Sequence, residues 1–82
     1  MARDRAGELG LDEAYYRSRL VELGEQLRLR RQELGIASQH GMAEKVGVDQ
    51  STISRVETGR IPRVPVVLDA IAKGYRVDAR YL

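Results

Sequence analysis

The order of apolar and polar residues predicts a series of helices. In the first half of the chain, apolar residues recur three or four positions apart, which is the spacing of one face of an α-helix. They include Leu20, Leu23, Leu27 and Leu34. Gly35 fits a left-handed end to this helix. The pattern is compatible with one long helix up to Leu34 and with a helix broken near residues 20–24. Residues 1–10 lack periodicity and are expected to form a flexible arm.

A short turn that contains glycine separates the next two predicted helices. Ser38 is positioned to cap a helix over residues 39–46, because its side chain can accept a hydrogen bond from a free backbone amide. Gly47 begins the turn, and Asp49 is expected to cap a third helix over residues 49–58 in the same way. Two helices joined by a tight glycine turn form a helix-turn-helix motif.

The third predicted helix has two faces of different chemistry. Ile53 and Val56 are three positions apart and can pack the helix against a core. The opposite face carries a continuous polar stripe, made of Gln50, Ser51, Ser54, Arg55 and Thr58. These side chains form hydrogen bonds and only one of them is charged, which suits a surface that contacts base edges.

The last third of the chain predicts two more helices. Gly59 ends the third helix, and the connector after it contains two prolines, which cannot continue a helix. Pro65 fits the first turn of a fourth helix over residues 66–73, and Gly74 is expected to stop it. Asp78 is expected to cap a short fifth helix. The residues of that helix expected in the core are Ala79 and Leu82. The expected fold class is all-α, with five helices.

Composition restricts the chemistry. With 82 residues, the chain has the size of one small domain. It has no cysteine and one histidine, and no set of residues resembles a nucleophile with its base. We therefore expect no enzyme activity, no metal and no cofactor. No apolar run approaches the roughly 20 residues of a membrane span, and the cytoplasm is the expected location.

Charge alone gives weak support for a nucleic-acid partner. The 14 basic and 12 acidic residues leave a formal net charge of only +2. The basic residues are clustered, however, in two groups: Arg28, Arg30 and Arg31, and then Arg55, Arg60 and Arg63. Such clusters are usually solvated helix faces, so they add to a DNA hypothesis without establishing it.

Residues 38–60, SQHGMAEKVGVDQSTISRVETGR, resemble the Cro/C1-type helix-turn-helix family of lambda-repressor-like DNA-binding domains. Upstream, LGEQLRLRRQELG is similar to the first helix of that family, and downstream LDAIAKGYRVDARYL is similar to its fourth and fifth helices. The resemblance implies a compact five-helix domain over residues 20–82. Residues 1–19 would then be an N-terminal arm or helix extension.

The resemblance also implies roles for individual residues. The expected base contacts in the major groove are Gln50, Ser51, Arg55 and Ser54. The expected phosphate contacts are Gln39, Thr58, Arg60 and Arg63. Arg31, late in the first helix, and Glu57, late in the third, match a family ion pair and are expected to have a structural role.

The leading hypothesis is a sequence-specific regulator of transcription, a repressor, that binds double-stranded DNA. Because one small domain makes few contacts, we expect a homodimer on a palindromic operator in the nucleoid. The dimer surface is expected around residues 76–82. The N-terminal helix, with Tyr15 and Tyr16, is expected to be either an alternative dimer contact or an extra DNA arm. The alternative function is a protein-interaction module with the same fold, such as an antitoxin or a sigma-factor-like adaptor.

Overall fold

Four α-helices and one 3₁₀ turn make up the described part of the chain. The computed structural model describes the backbone of residues 2–82 and the side chains of residues 13–82. Along the chain the elements are α1 (Ala2–Glu33), α2 (Gln39–Val46), α3 (Gln50–Glu57), α4 (Pro65–Tyr75) and the 3₁₀ turn (Ala79–Tyr81). The described residues contain no strand, so the predicted all-α class is confirmed. The predicted fifth α-helix is only the single 3₁₀ turn.

Helix α1 is longer and more regular than the sequence pattern indicated. Its backbone is helical from Ala2 to Glu33, without a break at residues 20–24. The prediction of a flexible arm was therefore wrong for residues 2–10, and Met1 lies outside the described residues. Alanine, arginine, leucine and glutamate dominate this segment. Their high helix propensity favours a helical backbone even where the segment has no regular apolar face. The predicted end is confirmed, since Gly35 adopts a φ of 80°.

One core joins all four helices. The buried apolar residues are Leu27, Met42, Ala43, Ile53, Val56, Ile61, Ile71, Ala72 and Tyr75. Among the described side chains of α1, Leu27 and the partly buried Leu23 contribute to this cluster. The N-terminal part of α1 extends away from the core, and the side chains of residues 13–19 are exposed. None of the described helices is both long and apolar enough to cross a membrane.

Helix α4 begins where the sequence indicated but ends later. Pro65 occupies its first turn as predicted, whereas the helix continues through Gly74 to Tyr75. Gly74 lies inside the helix and does not stop it. The glycine is buried where α4 crosses α2, and a β-carbon there would overlap Val46. The chain instead leaves the helix at Arg76, with a left-handed φ of 56°. The Arg30 guanidinium donates to the carbonyls of residues 75 and 76, both at 3.2 Å, and so caps α4.

The 3₁₀ turn packs against α4. The Asp78 side chain accepts from the Arg80 amide at 2.9 Å, so the predicted cap is present. Ala79 is exposed, which corrects its predicted place in the core. A single turn brings only its last residue back to the domain, and Leu82 packs against the core cluster.

Candidate nucleic-acid interface

The turn between α2 and α3 is built by local capping. Ser38 caps α2 as predicted, accepting from the Gly41 amide at 3.0 Å. Gly47 has a φ of 87°, a conformation that other residues adopt only with strain. It lets the amides of Gly47 and Val48 both donate to the Ala43 carbonyl, at 2.8 and 3.0 Å. The chain therefore reverses within three residues, and α3 packs directly on α2.

Helix α3 separates its apolar and polar residues onto two faces. Ile53 and Val56 are 0% exposed and anchor the helix in the core. The polar stripe faces solvent along the whole helix, and its exposed members are Gln50, Ser51, Ser54, Arg55 and Thr58. The anchoring contacts fix the rotation of the helix about its axis, so that the polar side chains point away from the domain.

Asp49 precedes α3 in an extended conformation but does not cap its amides. Its carboxylate accepts instead from the hydroxyls of Ser51, at 3.1 Å, and Thr52. The predicted amide cap is thus wrong, and the carboxylate bonds to these two hydroxyl groups instead. Hydrogen bonds from Thr52 and then Ser51 hold the pKa of Asp49 below its ordinary value. Arg55 also donates to the Ser51 hydroxyl, at 3.2 Å, and this links the start of α3 to its middle.

A buried polar network ties α3 to α1. Arg31 and Glu57 are only 5% and 6% exposed. The Arg31 Nε and Nη2 atoms donate to the Glu57 carboxylate at 2.8 and 3.1 Å, in a bidentate ion pair. The same carboxylate accepts from the Tyr75 hydroxyl at 2.7 Å and from the Gln39 amide at 3.2 Å. The structure thus brings α1, α2 and α4 together on one residue of α3.

The ionisation of this network follows from its contacts. Burial alone would raise the pKa of Glu57, but hydrogen bonds from Arg31, Tyr75 and Gln39 outweigh it and hold the pKa below its ordinary value. Burial, reinforced by the bond to Glu57, raises the pKa of the Tyr75 hydroxyl. Glu57 is therefore charged and Tyr75 neutral near pH 7. Among the described side chains, no buried polar atom lacks a hydrogen-bond partner.

Three of the four residues expected to contact phosphates lie at the start of α2 and at the end of α3. Gln39, at the start of α2, is half-buried and bonded to Glu57. The Thr58 hydroxyl donates to the carbonyls of Ser54 and Arg55, at 3.1 and 3.0 Å. Arg60 is exposed just past the helix.

The connector after α3 holds Arg60 beside the helix. Ile61, within the connector, is buried and anchors it in the core. Arg60 consequently shares a cleft of about 300 Å³ with Thr52 and Arg55. Arg63 follows at the other end of the connector, where its guanidinium donates to the Leu82 carbonyl.

Two glycines allow the backbones of α1 and the end of α3 to touch. A β-carbon on Gly24 would lie 2.7 Å from the Glu57 carbonyl oxygen, and one on Gly59 would lie 2.8 Å from the Leu20 carbonyl oxygen. This close approach brings the ion pair within reach and explains why Gly24 is buried in an unbroken helix. The sequence pattern is compatible with one continuous helix and with a break near residues 20–24, and the structure has the continuous helix.

The sequence interpretation also missed Tyr75. A tyrosine four residues after Ile71, in an otherwise apolar helix, is a signal for a buried ring whose hydroxyl needs a partner. No local pattern indicated that the partner would be Glu57. Within the described residues, no group of three or more histidine, aspartate and glutamate side chains could hold a metal ion.

Comparison with known proteins agrees with this geometry. A family model described as a helix-turn-helix domain matches residues 22–80. The matched segment includes α2, the Gly47 turn, α3 and α4, and it leaves out the N-terminal part of α1. No curated protein and no solved structure matches the chain. Because the family model covers well over half of the sequence, the chain belongs to the helix-turn-helix domain family, a class of domain whose second helix typically binds DNA.

Proposed function

We propose that this protein is a sequence-specific transcription regulator of the Cro/C1 type, a repressor that places α3 in the major groove of double-stranded DNA. One observation carries the proposal: the polar stripe of α3 is exposed along its length while Ile53 and Val56 are fully buried behind it. A helix held this firmly by one face presents the other as a preformed surface. Its width suits the major groove, which admits one α-helix.

The side chains of the stripe match the donors and acceptors of base edges. Gln50, the first residue of α3, is at the end that approaches bases in helix-turn-helix complexes. A glutamine pairs best with adenine, and the Arg55 guanidinium pairs best with the N7 and O6 atoms of guanine. The Ser51 hydroxyl, which accepts from Arg55 at 3.2 Å, limits the directions that the guanidinium can take. Ser51 and Ser54 complete the base-contacting set.

Phosphate contacts are assigned to residues beside the stripe. Gln39 lies at the N-terminus of α2, where free amides and the helix dipole favour an anion. Thr58, Arg60 and Arg63 follow the stripe at its other end. Contacts at both ends would fix the position of α3 in the groove without selecting a sequence.

In the proposed function, the protein acts as a homodimer on a palindromic operator. One helix with four base-contacting side chains covers only a short half-site. Two copies with α3 helices roughly 34–36 Å apart would contact successive major grooves on one side of the duplex. Occupancy of a promoter in the nucleoid of the cytoplasm would block transcription, and that mechanism requires no catalysis, metal or cofactor.

Two substitutions separate the proposed roles. Arg55→Ala is expected to relax the preference at one base position and to weaken the preferred site by about 1–3 kcal/mol. Arg60→Ala is expected to weaken all sequences alike and to reduce the salt slope of binding by about 1. Fluorescence anisotropy with preferred and scrambled duplexes at several salt concentrations measures both effects. Unchanged DNA affinity in both variants would refute these roles and favour a protein-interaction module.

A further inference from the structure

A second basic cleft lies where α1 passes the end of α3. It has a volume of about 390 Å³ and is lined by Arg17, Leu20, Val21, Thr58, Gly59 and Arg60. The two charged residues of this lining are both arginines, one from each side of the cleft. An arrangement of two guanidinium groups around an open cavity favours an anion.

The position of Arg17 is fixed by the helix to which it belongs. Helix α1 is continuous from Ala2 to Glu33, and its backbone touches the end of α3 at Leu20 and Gly24. Arg17 lies one turn before this contact. The N-terminal part of α1 therefore projects from a rigid crossing, and Arg17 is held beside Arg60.

Neither guanidinium of the cleft is neutralised by a described carboxylate. Among side chains 13–82, the ion pairs involve neither Arg17 nor Arg60. Arg19, two residues further along α1, differs: it pairs with Glu22 at 3.3 Å and lies 5.9 Å from the centre of the Tyr15 ring.

The other polar groups of the cleft are already bonded. The Thr58 hydroxyl donates to two carbonyls of α3, and the amides of Thr58, Gly59 and Arg60 donate to the carbonyls of Arg55 and Val56. The donors of the cleft that remain free for an anion are therefore those of its two guanidinium groups, and the proposed phosphate contact of Thr58 requires its hydroxyl to turn away from these carbonyls.

We infer that this cleft binds a backbone phosphate of the DNA duplex contacted by α3, with Arg17 and Arg60 donating to the same phosphate. The inference rests on the proposed function. Arg60 connects the two surfaces, because it also lines the cleft with Thr52 and Arg55 on α3. Arg17 precedes the matched segment 22–80, so α1 of this chain adds a DNA contact to the matched domain.

Salt dependence of DNA binding tests the inference. The full chain and its Arg17→Ala variant are titrated with a duplex selected by the wild-type protein, between 50 and 200 mM NaCl. Loss of a whole phosphate contact reduces the slope of log affinity against log salt by about 0.9, which over this fourfold range is about 3.5-fold less loss of affinity than in the wild type. Because Arg60 still contacts the shared phosphate in Arg17→Ala, this variant is expected to reduce the slope by a part of that amount, and the Arg17→Ala/Arg60→Ala double variant by about the whole of it. Arg19→Ala removes the same charge from the same helix and is expected to keep the wild-type slope.

A double-mutant cycle tests whether the phosphate is shared. If both arginines hold one phosphate, Arg60→Ala weakens binding less in the Arg17→Ala background than in the wild type. Additive effects, or an Arg17→Ala slope equal to that of Arg19→Ala, overturn the inference while the proposed function stands. A wild-type protein that binds no duplex overturns both. Equal thermal midpoints of the variants, whose substituted residues are exposed, show that folding is unchanged.

Discussion

The buried ion pair between α1 and α3 gives the sharpest expectation about stability. Arg31→Ala removes both hydrogen bonds of the bidentate pair and the bond from the Arg31 Nη1 atom to the Ile36 carbonyl at 3.0 Å. Glu57 then stays buried with only Tyr75 and Gln39 as donors. A charged carboxylate without a countercharge is costly inside a protein, and α3 depends on this residue for its attachment to three other helices.

The size of the effect can be worked from these contacts. Removing one partner of a buried ion pair costs about 3–5 kcal/mol. Because Glu57 loses two of its four hydrogen bonds and all of its countercharge, we expect Arg31→Ala in the upper part of that range. Each kcal/mol lowers the melting temperature of a domain this small by roughly 4–8 °C. The variant should therefore melt at least about 16 °C below the wild type.

The assay is thermal denaturation for the melting temperature and chemical denaturation for the free energy of unfolding, both followed by circular dichroism. Arg28→Ala on the same helix is the matched control, because Arg28 pairs with Glu25 in solvent. That exposed pair is worth at most about 1 kcal/mol. The double-mutant cycle of Arg31→Ala, Glu57→Ala and the double variant measures the coupling energy between the two residues directly. We expect a coupling energy of roughly 0.5–3 kcal/mol, the range found for contacting residues. Additive losses, or equal effects of Arg31→Ala and Arg28→Ala, would refute the reasoning.

Two further expectations follow from the same region. The pKa of Glu57 is lowered in the folded protein, so its stabilising contribution is complete above the ordinary value of 4.5 and is lost as the pH falls through the folded pKa. Denaturation between pH 7 and pH 3 should show this loss, and the Arg31→Ala/Glu57→Ala double variant should show a shallower one. Gly24→Ala should destabilise the protein, because its β-carbon would meet backbone atoms at 2.7 Å. Gly41→Ala, whose β-carbon would meet only side-chain atoms at 3.3 Å, is the control; an equal loss would contradict the close-crossing explanation.

Features that depend on neighbouring residues in the sequence could be predicted. The cap at Ser38 and the left-handed turns at Gly35 and Gly47 require only a side-chain oxygen or a missing β-carbon at one position. The two faces of α3 follow equally from spacing, since residues three apart share a side of a helix. These local features fix the position and rotation of α3, which is the part of the fold that the proposed site needs.

Features that depend on contacts between distant segments could not be predicted from spacing. The sequence predicts that Gly74 ends its helix and leaves a break near Gly24 open, whereas both glycines lie inside helices at close crossings with other elements. A glycine has the same local propensity in either role, and only the crossing partner distinguishes them. The bond from Tyr75 to Glu57 joins residues 18 positions apart and is likewise invisible to a local pattern. The position of Arg17 beside Arg60 depends on the course of α1, and no local pattern in the sequence indicates it.

Selection of bound duplexes from a random double-stranded DNA pool tests the central claim most directly, with the wild-type protein and Arg55→Ala selected in parallel. For the wild type we expect enrichment of two short half-sites related by twofold symmetry, with centres about 10–10.5 base pairs apart. For Arg55→Ala we expect the same half-sites with one position in each no longer selected. A wild-type selection without any enriched sequence would contradict the claim that the exposed face of α3 recognises DNA.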